Sequence, residues 1–482
     1  MAKNKSAINA SLWSFVERLS TQVVTFIIGI VLARLLSPHD YGVVGIISIF
    51  IVLTNVFIDA GFANGLIRKI DRTEKDLSTA FYFNIVVGIL AYFILILTSS
   101  FIATYFEEPI LTPLIKIAGF NVVLSSLCIV QTAILTANLN IRLQTIINVI
   151  SQVPAGIIAI VMAYYGSGVY SLVWQTIISS AIKTCLLWYY AKWRPKERFY
   201  KESFNYLWGF GSKLLSATLI GVFFDQIYSI LIGKYIGKNE LGYFSKSQHL
   251  NQNVTSISSG IVQKVGLPVL SEYQEDETLL CEKFREIMRL LVFLLAGFSA
   301  FLCFAANDII LFIWTDKWIE CAVLFQFLII GSMFSPIGQL SLILLQTKGR
   351  TGLILKLEVP KKIIYCIYLA VGFSFGVKGL AIASVFISFT AALINMWATK
   401  KVLPYSYFDQ MKDLTKYMII AYPIAFFSKF MAHTDWPIVN IMIIFFLTIV
   451  GYIGFLVVVK DKTVEFLIRK LLSYKNKYPK NS

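Results

Sequence analysis

Residues 241–264 read LGYFSKSQHLNQNVTSISSGIVQK, a run crowded with Ser, Gln, Asn, His and Lys between long apolar segments. Hydrocarbon offers such side chains no hydrogen-bond partner. A helix of this composition inside a membrane protein is expected to turn its polar face to a water-filled cavity or a substrate path. The segment therefore reads as one wall of a hydrophilic tunnel.

The rest of the chain supplies the membrane protein. Of 482 residues, 57% are hydrophobic and 15% charged, against about 45–50% and about 25% in ordinary soluble domains. Apolar runs of membrane-spanning length recur at 11–35, 41–65, 79–104, 112–137, 145–165, 168–191, 206–233, 241–264, 287–312, 319–346, 353–375, 378–399, 414–432 and 436–459. The expectation is an all-α polytopic membrane protein of about fourteen transmembrane helices. The N-terminal MAKNKSAINASLW carries no Ala-x-Ala site, so no removable signal peptide is read.

The net charge of +16 is a topology signal and not a nucleic-acid footprint. With the N-terminus in the cytoplasm, about thirty Lys and Arg fall in inner loops and the tail, against about five in outer loops. Both termini are then cytoplasmic, and the basic excess meets anionic membrane lipids. If 241–264 did not cross, the basic loops at 348–350 and 400–416 and the Lys-rich tail would lie outside, so the polar segment is read as a true span. An interfacial amphipathic helix is the alternative.

Catalysis is not signalled. The six cysteines show no paired spacing, the three histidines lie far apart, and no acidic cluster has metal-ligand spacing. A Gly-rich phosphate loop ending in Lys-Ser/Thr is missing, so no nucleotide cofactor is expected. No outer loop is long enough to build an enzyme site.

A repeat organises the chain. ARLLSPHDYG (33–42) has a counterpart in GKYIGKNELG (233–242), with Arg34 matching Lys234, Asp40 matching Glu240 and Gly42 matching Gly242. Val153-Pro154 is echoed by Val359-Pro360, and GVYSL (168–172) by GVKGL (376–380). The near-constant offset predicts two parallel six-helix lobes, 1–203 and 204–403, around a central cavity. AKWRPKERFYKE (191–202) is the linker, and the helix pair and basic tail of 404–482 are appended.

ARLLSPHDYG, DAGFANGLIRK (59–69) and DQIYSILIGKYIGKNELGYFSKSQHL (225–250) resemble the Wzx-type flippases of the polysaccharide-transport family. Their superfamily also contains the multidrug and toxin extrusion exporters. The resemblance implies movement of an undecaprenyl-diphosphate-linked oligosaccharide between leaflets of the bacterial cytoplasmic membrane, for lipopolysaccharide, capsule or exopolysaccharide assembly. Polysaccharide polymerases and assembly proteins are the partners it implies. Multidrug antiport, peptidoglycan-precursor flipping and a membrane glycan polymerase or ligase are the competing readings.

A diphosphate needs cations in a wet path. Arg18, Lys213 and Lys246 lie within spans, the first two near the cytoplasmic ends of repeat-related helices. Gln248, Asn251, Gln252 and Asn253 suit sugar hydroxyls, because an amide both donates and accepts. Asp59 and Asp225 are candidates for gating or for coupling to protons or sodium ions. Each has a plainer reading. Arg18 could pair with Glu17 or Asp59, Lys213 could snorkel to the headgroups, Asp59 could cap a helix end, and Asp225 could pair with Lys246. The amides could bond between helices. Lys361 and Lys362 read as a charge cluster with Glu358.

Overall fold

The computed structural model describes residues 2–59, 61–467 and 469; the side chains of residues 2–12, 14–19, 257, 261, 265 and 351 lie outside that description. Among the described residues there is no strand. Among those residues, eight helices are each long and apolar enough to cross a membrane, and a bent pair makes a ninth. The protein is an all-α polytopic membrane protein.

Every expected span coincides with one helix or one broken pair. In chain order they are α1 (Ala2–Leu35), α2 (Pro38–Asp59) with α3 (Phe62–Arg68), α4 (Glu74–Tyr105), α5 (Leu111–Ser126) with α6 (Ile129–Ala137), α7 (Ile141–Tyr164) and α8 (Val169–Tyr190). Next come α9 (Lys201–Leu231), α10 (Lys238–Glu272), α11 (Glu277–Phe304) with α12 (Ala306–Trp314), and α13 (Glu320–Ser332) with α14 (Phe334–Thr347). The chain ends in α15 (Thr351–Phe373), α16 (Gly376–Lys400), α17 (Tyr407–Met431) and α18 (Pro437–Val458). The breaks have local causes. Gly61 sits at φ 72°, a conformation that ends α2, and the Asp59 carboxylate accepts the Ala63 N–H at 3.3 Å to restart the chain as α3. The α5–α6 pair bends by 41°.

The chain divides into two compact units, 1–245 and 246–482, with the division inside α10. In the first, α1 packs on α7, α4 on α5, α5 and α7 on α8, and α9 on α2, α3 and α4. An aromatic cluster holds that last junction: Phe62 stacks on Phe83 at 4.5 Å, and Phe204 stacks on Trp208. The 191–202 linker is fastened to the start of α4, where the Trp193 indole donates to Glu74 at 3.0 Å and the Tyr200 N–H to Thr79 at 3.0 Å. The Lys69 ammonium, 2.7 Å from Asp76, ties the end of α3 to the capping box of α4.

The second unit repeats part of this plan. α15 packs on α16 as α7 does on α8, and α13 on α16 as α5 does on α8. Pro154 and Pro360 lie inside the corresponding helices α7 and α15. The terminal helices are more than an addition, because Leu414, Tyr417, Ala421, Tyr452 and Leu456 belong to the same buried core as Phe284, Met288 and Val292 of α11. Charged groups lock them in place. Asp413 of α17 is held by Arg285 at 2.9 Å, Arg289 at 3.0 Å and the Tyr405 hydroxyl at 2.6 Å. Lys429 at the far end of α17 pairs with Asp308, which also accepts from Asn440 of α18. Beyond α18, burial would push the Asp461 carboxyl up. The Lys416 ammonium and the N–H groups of Thr463 and Val464 outweigh it and hold the carboxyl below its ordinary value.

Asp413→Ala strands two arginines and a buried tyrosine hydroxyl. It is expected to destabilise the second unit by about 3–5 kcal/mol, whereas Arg285→Ala, which leaves Arg289 in place, costs clearly less. Thermal unfolding of the purified protein in detergent checks this; equal losses for the two variants would mean that Asp413 is not the hub.

Candidate functional site

The polar helix singled out by sequence is α10, and its residues divide by helical angle. Each residue turns about 100°, so Ser247, Asn251 and Ser258 share one face while His249, Gln252, Asn253 and Ser256 share the opposite one. The first face is spent on packing. Ser247 donates to the Cys321 carbonyl at 3.0 Å, and the Asn251 side chain accepts from the Ser332 hydroxyl at 2.7 Å, both on α13. Thr255, Ser256 and Ser258 return their hydroxyls to α10's own carbonyls.

The amides of the opposite face are uncommitted. Gln252 and His249 are exposed, and Gln248 and Asn253 are half-buried. Among the described residues, no hydrogen bond is made by the side-chain amides of Gln248, Gln252 and Asn253. Each can both donate and accept, so together they present the chemistry that hydroxyl-rich ligands use. Asn251, expected among them, is directed into the packing. His249 was not singled out, although its spacing of four residues from Asn253 places it on this face.

Lys246 is buried and lies between two indoles, its ammonium 5.2 Å from the Trp314 ring centroid and 5.9 Å from that of Trp318. Such cation–π contact stabilises a desolvated ammonium and supplies it with an environment that the sequence spacing did not show. Lys213 is exposed on α9. It lies beside the point where α9 meets the α2–α3 break, since a Cβ on Gly61 would come 3.0 Å from Gly211 and 3.3 Å from Leu214. Asp59 flanks the same break and spends one oxygen as the restart cap already described. Asp225 is exposed further along α9. The Arg18 side chain lies outside the described residues. Lys361 pairs with Glu358 at 2.8 Å, as the charge-cluster reading expects.

At the opposite end of the first unit the two repeated decapeptides meet. A Cβ on Gly42 would run into the carbonyl oxygen of Lys238, and one on Gly242 into that of Pro38. The starts of α2 and α10 are thus in backbone contact, and only glycine leaves the room. Around them Lys234 pairs with Glu107 at 2.8 Å and His39 lies 3.2 Å from Glu108. The Lys234 ammonium holds the Glu107 carboxyl below its usual range.

Solved structures share this architecture. The lipid II flippase MurJ, in an inward closed conformation, superposes with a TM-score of 0.71 at 16% identity, covering 94% of this chain and 100% of that one. An inward-facing multidrug resistance MATE family transporter of the MOP superfamily gives 0.56 at 14% identity, over 83% of this chain and 99% of that one. These likenesses establish the fold. In sequence, the chain is 22% identical to an uncharacterized membrane protein in the cps region of Klebsiella pneumoniae, covering 90% of this chain and 88% of that one. It is also 22% identical to the teichuronic acid biosynthesis protein TuaB of Bacillus subtilis (72% and 73%) and 20% identical to the lipopolysaccharide biosynthesis protein WzxC of Escherichia coli (77% and 76%). Residues 31–323, more than half of the chain and including both glycine decapeptides and the whole of α10, match the family described as polysaccharide biosynthesis protein. The chain belongs to that family.

Proposed function

We propose that this protein is a transporter, and not an enzyme, that carries a polyprenyl-diphosphate-linked oligosaccharide across the bacterial cytoplasmic membrane by alternating access. The observation that carries the reading is the uncommitted amide face of α10 within a chain of the polysaccharide biosynthesis protein family. Sugars need paired donors and acceptors, and water or a polar cargo would satisfy exposed amides of a membrane helix that no protein group meets. Relatives named for teichuronic acid, lipopolysaccharide and succinoglycan biosynthesis support a surface glycan as the cargo. In this reading both termini are cytoplasmic, the chain crosses about fourteen times, and the lobes are 1–203 and 204–403, with 404–482 joined to the second. A glycan polymerase acts on the delivered product.

Recognition divides by chemistry. Arg18 and Lys213 take the diphosphate, Gln248, Gln252 and Asn253 take sugar hydroxyls, and Lys246 and Asn251 support that face from behind. Asp59 and Asp225 respond to a coupling proton or sodium ion. A cargo with about two negative charges, moving outward from an interior-negative cell, gains up to about 4–5 kcal/mol per 100 mV. Bare cations returning inward move with the same potential, so the cycle as a whole keeps the cargo's gain, and a coupling cation would serve to neutralise a carboxylate in one orientation of the carrier.

The face assignment is checked by thiol labelling. With the six native cysteines replaced, Gln252→Cys is expected to react with a membrane-impermeant reagent and to be protected by cargo, whereas Asn251→Cys stays unreactive. Equal reactivity at the two neighbours would remove the amide face from the path.

The diphosphate assignment predicts that the double variant Arg18→Ala/Lys213→Ala loses surface glycan export while its level in the membrane is unchanged. Normal glycan in that variant would take both residues out of the site.

The coupling assignment is tested in reconstituted vesicles. Asp225→Asn is expected to stall the cycle and to lose the pH, sodium or potential dependence of the wild type. Full-rate transport in Asp225→Asn, with no such dependence in either protein, would refute it.

A further inference from the structure

The α14–α15 turn and the end of α16 enclose a cavity of about 520 Å³, lined by Gly349, Arg350, Gly352, Leu353, Lys356, Lys401 and Val402. Gly349, at φ 67°, closes α14 and turns the chain so that Arg350 becomes the residue before α15. Neither Gly349 nor Gly352 has a neighbour within 4 Å of where a Cβ would stand, so the mouth is open. Lys401 is held over the Trp397 ring at 3.8 Å. Nearby Lys348 is turned away and donates to the Gln274 carbonyl at 2.7 Å.

Three cations thus converge on one cavity. Among the described residues, none of Arg350, Lys356 and Lys401 has a carboxylate partner. Like charges gathered without a counterion repel, and a bound anion relieves that repulsion. The start of α15 adds the positive end of a helix dipole beside them. From this cavity an apolar stripe runs along α15: Leu355, Val359, Ile363, Ile367 and Val371, at strict four-residue spacing and 56–73% exposed. A cationic cavity at the head of an apolar helix stripe matches a molecule with an anionic head and a hydrocarbon chain.

We propose that this cavity and stripe form a binding site for an anionic phospholipid of the bilayer, its phosphates on Arg350, Lys356 and Lys401 and an acyl chain along α15. The lining favours a phospholipid over the proposed cargo. Among the described residues the lining consists of cations, glycines and two aliphatic side chains, with no amide, hydroxyl or aromatic ring to recognise a sugar. Three cations also match a headgroup with two phosphates better than a zwitterionic one.

The test uses the full-length protein in detergent, titrated with cardiolipin and, separately, with zwitterionic phosphatidylethanolamine. Cardiolipin is expected to bind and phosphatidylethanolamine to bind much more weakly. Each cation beside an anionic headgroup changes affinity about fivefold, so Arg350→Ala/Lys356→Ala/Lys401→Ala is expected to weaken cardiolipin binding about a hundredfold. A control with the same charge removed from the linker, Lys196→Ala/Arg198→Ala/Lys201→Ala, should bind as the wild type does. Farnesyl diphosphate at equal concentration should not displace cardiolipin. Equal weakening in both triple variants would reduce the effect to surface charge and overturn the site. Unchanged binding in the first triple variant, or displacement by the prenyl diphosphate, would overturn it as well. Leu355→Ser/Val359→Ser, which keeps all three cations, should weaken the binding of long-chain lipid but not of a short-chain analogue; equal binding of both would remove the stripe from the site.

Discussion

Hydrocarbon gives a polar atom nothing to bond to, and the whole architecture answers to that shortage. The backbone meets it by staying helical through the apolar runs, apart from short breaks such as those at Gly61 and Cys128. Hydroxyls meet it locally: Ser48 donates to the Val44 carbonyl at 2.8 Å, Thr54 to Phe50 at 2.7 Å and Thr98 to Ile94 at 2.7 Å. Carboxylates meet it in closed sets such as Asp413 between two arginines and a tyrosine. Against this background an unspent amide is conspicuous, and α10 carries three on one side. The polarity of that helix is therefore divided between side chains bonded to α13 and amides left unspent, with adjacent residues on different sides.

The spans were legible because hydropathy integrates over about twenty residues. The breaks within them were not, because an interruption at Gly61, at Cys128 or at Met333 changes the average by almost nothing, even at the α5–α6 break where the helix bends by 41°. Gly61 alone left a signal, in the Asp-Ala-Gly of 59–61 that was read as a cap. The division of α10 was half legible. Helical period puts Asn251 and Gln252 about 100° apart, but which of them faces protein depends on Ser332, distant in the chain. Lys246 shows the same limit more sharply, since the indoles beside it belong to Trp314 and Trp318 and no local pattern announces them.

Long-range charge explains why the last two helices were read as an addition. Their attachment rests on Arg285 and Asp413, on Asp308 and Lys429, and on Lys416 and Asp461. In sequence these look like ordinary helix-end charges of a basic membrane protein. Folded, the first two pairs connect α17 to α11 and α12 and the third ties the segment after α18 to α17, so the terminal pair shares the core of the second unit.

The meeting of the two decapeptides has a consequence in symmetry. Gly42 touches the carbonyl of Lys238, and Gly242 touches that of Pro38; in the offset of the repeat, Pro38 corresponds to Lys238 and Gly42 to Gly242. A contact in which one patch meets its own counterpart reciprocally is isologous, the geometry of a two-fold dimer. The junction is self-complementary, so it could have been made by two copies of a half-length chain before it was made within one. In a dimer of identical halves every change would strike both sides of the contact together. Joined in a single polypeptide, the halves are released from that constraint, and the surroundings have diverged: Lys234 takes the Glu107 carboxylate, while the backbone contact beneath it retains glycine on both sides.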